Sequence, residues 1–479
     1  MILFTISYIA GRKADNEGFF VGNRKSAWYV VAFAMIGSSI SGVTYVSVPG
    51  MVAASSFGYL QMVLGFVAGQ LIIAFVLTPL FYRMNLISIY EYLENRFGMS
   101  SYRTGAWFFF ISKMLGAAVR LFLVCLTLQL LVFEPFGLPF ILNVAITVAL
   151  VWLYTFRGGV KSLIWTDSLK TFCLVVSVVL CISYIASDLN LSLSSMISTI
   201  ADSDMSRIFF FDDVNSKQYF FKQFFAGAFT MIAMTGLDQD MMQKNLSCKN
   251  LREAQKNMYC YGISFVPVNF LFLSLGILLL LFASQLNIPL PAAGDEILPL
   301  FAAEGHLGFA VLIFFTIGII AAAFSSADSA LTALTTSFCI DIAGISHLSG
   351  KEAERRRKLV HFCISVLFIG FILLFKAVNN KSVIDAIYTI ASYTYGPLLG
   401  LFAFGLFTPM RPRDRFVPYI AIASPLLCYA IDRLVFTSTG YQFGYEMLMF
   451  NGFLTFMGLT CLSIKTKNYG NTQCRICSK

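Results

Sequence analysis

In the stretch Ala321-Ala322-Ala323-Phe324-Ser325-Ser326-Ala327-Asp328-Ser329, three hydroxyls and a carboxylate fall within five positions of otherwise apolar sequence. On a helix, Ser325, Asp328 and Ser329 stand at i, i+3 and i+4, so their oxygens share one face, as the ligands of a hard cation such as Na⁺ must. The same small residues also suit close helix packing, with each hydroxyl turned back to the carbonyl four residues earlier. The residues alone leave both readings open. Far upstream, Gly37-Ser38-Ser39-Ile40-Ser41-Gly42, followed by Pro49-Gly50, is poor helix-forming sequence inside an apolar run. Such a segment can unwind, and carbonyls freed at membrane depth are natural ion ligands; a Gly/Ser packing face is the alternative.

Ionisable residues within apolar runs or close to their ends are few: Lys113 and Arg120 in the third, Asp167 and Lys170 in the fifth, Asp238 and Asp240 near the inner end of the sixth, and Asp328 in the eighth. Each costs at least about 2.5 kcal/mol to insert, so each marks a functional site, a buried ion pair, or a side chain snorkelling from a helix end. Arg120 suits either a bidentate grip on a substrate carboxylate or a structural salt bridge. The three histidines, His306, His347 and His361, lie at run ends or in loops, without metal-binding spacing and without a paired acidic motif. A membrane acyl- or prenyltransferase needs a general base or metal ligands near the bilayer surface, so these residues argue against an enzyme. Cys125, Cys173, Cys181, Cys260, Cys339, Cys363, Cys428 and Cys461 lie in or beside apolar runs, where a free thiol behaves as a small hydrophobe. Cys474 and Cys477 have two-residue spacing but no second pair to complete a zinc site.

The chain that must position these groups has 479 residues, 58% of them hydrophobic and 12% charged, half the charge of a soluble domain. Apolar runs fall at 27–50, 57–81, 103–133, 136–155, 165–187, 219–236, 258–284, 305–340, 358–378, 383–408, 416–436 and 445–464. A helix of about 20 apolar residues crosses a bilayer. These unbroken runs are unlike the short alternating segments of a barrel, so the fold class is an all-α polytopic membrane protein. Placing the links on alternate sides puts 25 Lys and Arg on one side and six on the other, with three inside the runs. The rich side is then the cytoplasm, the C-terminus lies there, and the setting is the plasma (inner) membrane. Topology thus accounts for the net charge of +9 without a nucleic-acid partner. Met1 to Ala10 is apolar but spans only about 15 Å as a helix, which predicts the inner end of a helix entering from outside and a start further upstream. About 15 residues follow the last run, too few for the signalling domain of a transporter-like sensor.

The chain resembles the sodium:solute symporter family. The likeness is carried by Ser39-Ile40-Ser41, by Gly158-Gly159-Val160-Lys161 with Trp165-Thr166-Asp167, by Gly236-Leu237-Asp238-Gln239 with Gln243-Lys244, by Ala322 to Ser329, and by Tyr395-Gly396-Pro397-Leu398, collinear over residues 12–410. That resemblance implies two inverted five-helix repeats of LeuT type with flanking helices. Residues 1–26 form a truncated leading helix and cytoplasmic link, 27–187 the first repeat, 188–218 an outer loop and 219–408 the second repeat. Two further helices occupy 409–464, and 465–479 is a cytoplasmic tail. It implies a Na⁺ cage from the carbonyls of Gly37, Ile40 and Ala322 and the hydroxyls of Ser325 and Ser326. A second cation position of some members maps to Asp167, Ser325, Asp328 and Ser329. This chain departs there, with Asp328 for a small or hydroxyl residue and Lys170 for a Gln, so a Lys170 bridge to Asp167 or Asp328 replaces that cation and one Na⁺ is expected. Candidate substrate residues are Arg120, Ser39, Ser41, Thr44, Gln61, Tyr393 and Tyr395. The function implied is Na⁺-coupled import of a small organic solute, an acidic sugar or carboxylate first and a neutral sugar second, by alternating access. Besides the solute, the only partner expected is the lipid bilayer, with Na⁺ as coupling ion, no organic cofactor and no obligate protein partner.

Overall fold

The computed structural model describes residues 24–40, 42–291, 294–303, 308–344, 351–378, 383–441 and 443–464. The leading segment 1–23, Ser41 and the tail 465–479 lie outside the described residues. Hydrocarbon offers no partner to a backbone N–H or C=O, so each apolar run satisfies its own backbone as a helix. The first span is two pieces, α1 (Trp28–Ser39) and α2 (Gly42–Gly50). The second is α3 (Tyr59–Ile72), continued through a π-turn to Arg83, and the third is α4 (Met99–Leu128). The sixth is again two pieces, α6 (Phe220–Met231) and α7 (Gln239–Asn245), and the seventh is α8 (Leu251–Leu286). The eighth and ninth are α9 (Gly308–Ser337) and α10 (Lys351–Val378). The tenth divides into α11 (Val383–Thr394) and α12 (Gly396–Phe407), where Pro397 at the first turn of the second piece marks a 46° bend. The last two spans are α13 (Val417–Thr439) and α14 (Met447–Cys461).

The fourth and fifth spans differ from the sequence expectation. A link is expected between 155 and 165, yet Phe140–Asp188 is one helical run of 49 residues, here α5. Its first half packs on α4 and α10, Asn143 donating to the Cys125 carbonyl and Thr155 meeting His361, and its second half on α9; with about 20 residues needed per crossing, the run holds two spans. No proline lies between Pro139 and Pro267, so nothing in the link removes a backbone donor and the helical bonds carry through. The second half of α5 lies antiparallel to α9. Ser329 Oγ meets Asp167 at 3.4 Å, Ser177 Oγ donates to the Phe314 carbonyl at 2.9 Å, and Tyr184 lies against Gly308.

The Lys/Arg-rich links gather at one end. Ser26 N–H donates to the Ser247 carbonyl, Tyr82 OH to the carbonyls of Asn245 and Cys248, Arg96 to those of Gly405, Thr408 and Met410, and the backbone amides of Ser100 and Ser101 to Asp414. At that end Arg411–Pro412 and Ser463–Ile464 form a two-residue antiparallel ladder. At the opposite end Gln61 donates to the Gln218 carbonyl and Asp295 accepts from Val383 N–H.

Candidate functional site

The first and sixth spans open in mid-course, and the chemistry collects where they do. In the first span α1 ends at Ser39, and Ile40 leaves helical geometry with φ −76° and ψ 84°. In the sixth, a π-turn at Ile232–Gly236 precedes a 70° bend. Asp238 caps the new helix α7, accepting from the backbone amides of Asp240 (2.9 Å) and Met241 (3.4 Å). An acidic side chain at a helix start satisfies amides that no carbonyl can reach, which is why the chain restarts there.

Beside these openings is a polar cavity whose wall includes Ser39 and Thr44 of the first span, Lys113 and Arg120 of α4, Asp238 and Asp240 of the sixth, and Tyr395 at the bend of the tenth. A second, wider hollow at the Lys/Arg-poor end is lined by Lys217, Lys222, Asp385, Tyr393 and Arg433. The two meet at Ile384, which lines both.

From the cavity wall inward, carboxylates and ammonium groups alternate. Asp238 accepts from Lys113 at 3.2 Å, and Lys113 also meets Asp240 at 2.8 Å. Asp240 lies 3.6 Å from Lys244, and Lys244 contacts Asp167 at 2.9 Å. Asp167 is 3.2 Å from Lys170, which pairs in turn with Asp328. All seven side chains are 7% exposed or less. Neutral hydroxyls complete the shells: Tyr395 OH donates to Asp238 at 2.7 Å, Ser38 Oγ donates to Asp167 at 2.9 Å, and Ser329 Oγ accepts from Lys244 at 2.6 Å. Stripping water from an ion costs several kcal/mol, and only such close alternation offsets that cost.

Several sequence candidates come together here. Ser39, Thr44, Arg120 and Tyr395 line the cavity. Lys170 bridges Asp167 and Asp328, with Ser329 alongside. Gly37 lies against the fifth span, where an added Cβ would sit 1.9 Å from Thr171 Oγ1 and 3.0 Å from the Asp167 carbonyl, so α1 approaches α5 as closely as a glycine allows. Two candidates lie elsewhere. Gln61 is buried away from the cavity, donating to the carbonyls of Gly58 and Gln218 and accepting from Phe210 N–H, because its amide completes the backbone bonding of the outer loops. Tyr393 faces the outer hollow, since it is two residues before Tyr395 on a helix and so points elsewhere. Ser41 and the side chains of Ala322, Ser325 and Ser326 lie outside the described residues.

The sequence reasoning missed Lys244, which a count by links puts in the cytoplasmic set. It is 1% exposed and holds the centre of the alternating chain. Its spacing of four from Asp240 is the signal that was available. His361 is a bonded core residue, with its two ring nitrogens at Thr155 (2.9 Å) and Thr335 (2.8 Å).

Helices broken at the bundle centre around a polar cavity, each the first of a run of five spans, define a secondary transporter. The sodium:solute symporter family model matches residues 19–411, and the chain belongs to that family. It is a sodium-coupled solute symporter of the five-plus-five helix type. The sodium/sialic acid symporter of Proteus mirabilis is 24% identical over 421 residues, covering 85% of this chain and 82% of that protein. The human sodium/iodide cotransporter is 24% identical over 413 residues, covering 83% of this chain and 62% of that protein. Among solved structures, a substrate-bound, outward-open Na⁺-coupled sialic acid symporter superposes with a TM-score of 0.79 at 19% identity, over 97% of both chains. A nucleobase-cation-symport-1 transporter in a closed conformation follows at 0.57 and 13%, over 93% of this chain and 94% of that one. At these identities the structural likeness is one of fold.

Proposed function

We propose that the protein carries an acidic sugar or small carboxylate inward together with one Na⁺, with sialic acid as the first candidate. The carrying observation is Arg120. Its guanidinium stands in the cavity wall with no hydrogen bond or ion pair to any described residue, while Lys113 beside it is held by two carboxylates. A cation in a polar cavity attracts an anion, and a guanidinium fork matches a carboxylate bidentately. The sialic acid relatives support the choice among anions. Ser39, Thr44 and Tyr395 would then meet the hydroxyls of the solute.

The coupling Na⁺ would sit where the first span opens beside the eighth, held by the carbonyls of Gly37, Ile40 and Ala322 and the hydroxyls of Ser325 and Ser326. Support comes from the loss of helical geometry at Ile40 and from the tight contact of α1 with α5 at Gly37, which brings that opening against the Asp167–Ser329 region. The repeats would run over 27–187 and 219–408. The Lys/Arg-rich end and the C-terminus would face the cytoplasm of a cell whose plasma membrane holds the protein, which needs no obligate protein partner.

The test is thermal stability of the detergent-purified protein against a panel of solutes, each in NaCl or choline chloride at equal ionic strength, since a ligand of the native state raises Tm. The expected result is that sialic acid raises Tm in NaCl and not in choline chloride. Ser325→Ala with Ser326→Ala should raise the Na⁺ concentration needed. Stabilisation by neutral sugars alone would overturn the acidic reading, and stabilisation indifferent to Na⁺ would overturn the cage.

A further inference from the structure

The alternating chain has four carboxylates, Asp238, Asp240, Asp167 and Asp328, interleaved with three ammonium groups, Lys113, Lys244 and Lys170. Arg120 in the cavity wall is a fourth cation. Among the described residues of the cavity and this chain, positive and negative charges therefore balance. We propose that Lys170 is a tethered cation that fixes this balance, so that the binding region is neutral when empty and neutral again when one Na⁺ and one monoanionic solute are bound. Transport then moves no net charge. The inference rests on the monoanion and single-Na⁺ reading above and adds the electrical character of the cycle.

Asp167 and Asp328 are 0% exposed and come from antiparallel helices, α5 and α9. Lys170 Nζ contacts both, and the Ser329 hydroxyl lies against Asp167. Remove the ammonium, and two buried carboxylates and a hydroxyl remain around one point. Lys244, already on Asp167 and Ser329, offsets one of the two carboxylate charges, so the oxygen set, suited to a small hard cation, is left with a net charge of −1 that the interior does not tolerate uncompensated. A mobile cation would have to enter. With Lys170 present the compensating charge is covalently held and cannot be released on the other side, so it contributes nothing to the driving force. Coupling then depends on the Na⁺ at the first-span opening alone. Neither the empty nor the loaded carrier has a charge for the membrane potential to act on.

The test uses the purified protein in proteoliposomes with an inward Na⁺ gradient, radiolabelled sialic acid, and a potential clamped at zero or interior-negative by K⁺ and valinomycin. Wild type should give equal initial rates at both potentials and a hyperbolic Na⁺ dependence. Lys170→Met should give a Na⁺ dependence with a Hill coefficient approaching 2, and rates that rise several-fold when the interior is negative. Lys170→Met with Asp328→Asn, which removes one charge of each sign, should return to wild-type behaviour and keeps the question open to test if the single variant fails to fold. A parallel Na⁺ titration of Tm needs no solute and should show one-site binding in wild type and steeper binding in Lys170→Met. Wild-type uptake stimulated by the potential, wild-type Na⁺ dependence with a Hill coefficient near 2, or a folded Lys170→Met that stays hyperbolic would each overturn the tethered cation. If sialic acid is neither transported nor stabilising while the Na⁺ titrations behave as described, the solute assignment fails and Lys170 keeps its role.

Discussion

Arg120 presents a fork of donors, and a hydrogen bond to a charged group contributes about 1.5–3 kcal/mol. Arg120→Ala should therefore raise the sialic acid concentration that half-stabilises the protein by about 10- to 100-fold, at roughly tenfold per 1.4 kcal/mol. Arg120→Lys keeps the charge and loses the fork, so an intermediate rise is expected. A drop in the ligand-free Tm with no change in that concentration would assign Arg120 to structure. Residues of this kind are legible in the sequence because a charge inside an apolar run stands out. Lys170 was legible as well, one helical turn from Asp167. Lys244 offers only its spacing of four from Asp240, because it follows the sixth apolar run and reads as the start of a cytoplasmic link. Only the 70° bend at Asp238 turns it back into the bundle. Gln61 and Tyr393 sit at plausible depth, but which way a side chain points depends on rotation about the helix axis, and apolar runs surrounded by lipid and protein alike leave that rotation unmarked.

At the scale of elements, helix association in a membrane relies on close packing rather than on exclusion from water, so small residues decide which helices touch. The contact of α3 with α6 shows this. A Cβ added at Gly65 would lie 2.1 Å from the Phe224 carbonyl oxygen, one at Gly69 2.3 Å from that of Ala228, and one at Gly227 2.2 Å from that of Met62. These neighbours are backbone atoms and cannot rotate away. Gly65→Ala and Gly227→Ala should each cost about 1–3 kcal/mol by overpacking and lower Tm measurably. Gly370→Ala is the control, since nothing lies within 4 Å of its added Cβ. Equal melting of all three would mean that the second and sixth spans do not stay packed in solution. The spans themselves were legible from apolar length, and the first opening from its Gly and Ser residues. The sixth opening was not, because it is made by a π-turn and an Asp cap in a stretch with a single glycine, Met231-Ile232-Ala233-Met234-Thr235-Gly236-Leu237-Asp238. The helical link inside α5 was missed for the opposite reason: paired glycines and basic residues suggest a loop, yet the backbone has no cause to stop bonding.

For the molecule as a whole, Ile384 stands between the cavity and the hollow at the Lys/Arg-poor end, whereas Lys113, Asp238, Asp240 and Tyr395 line the cavity as its floor. Below that floor the spans are tied together. Tyr90 OH donates to the Leu237 carbonyl at 2.8 Å, Tyr102 OH to Asp341 at 2.8 Å, and Gln239 joins Ile87 and Ile89. Alternating access requires these ties to break when the cavity opens to the Lys/Arg-rich end, so they weight the equilibrium toward the arrangement described. Tyr90→Phe with Tyr102→Phe removes two hydroxyls and leaves the rings in place. At about 1 kcal/mol per hydrogen bond, the pair should shift the balance by about 2 kcal/mol, roughly thirtyfold, toward the opposite arrangement. The measurement is the rate at which Ile384→Cys, in right-side-out vesicles without Na⁺, reacts with an impermeant thiol reagent, followed by mass spectrometry of its peptide. The rate should fall in the double variant and recover on adding Na⁺, since an ion that binds one arrangement better draws the population back to it. Unchanged labelling would mean that the tyrosine ties are equal in both arrangements. In that case the alternating charges of the floor, which must also separate for the cavity to open, hold the closed end by themselves.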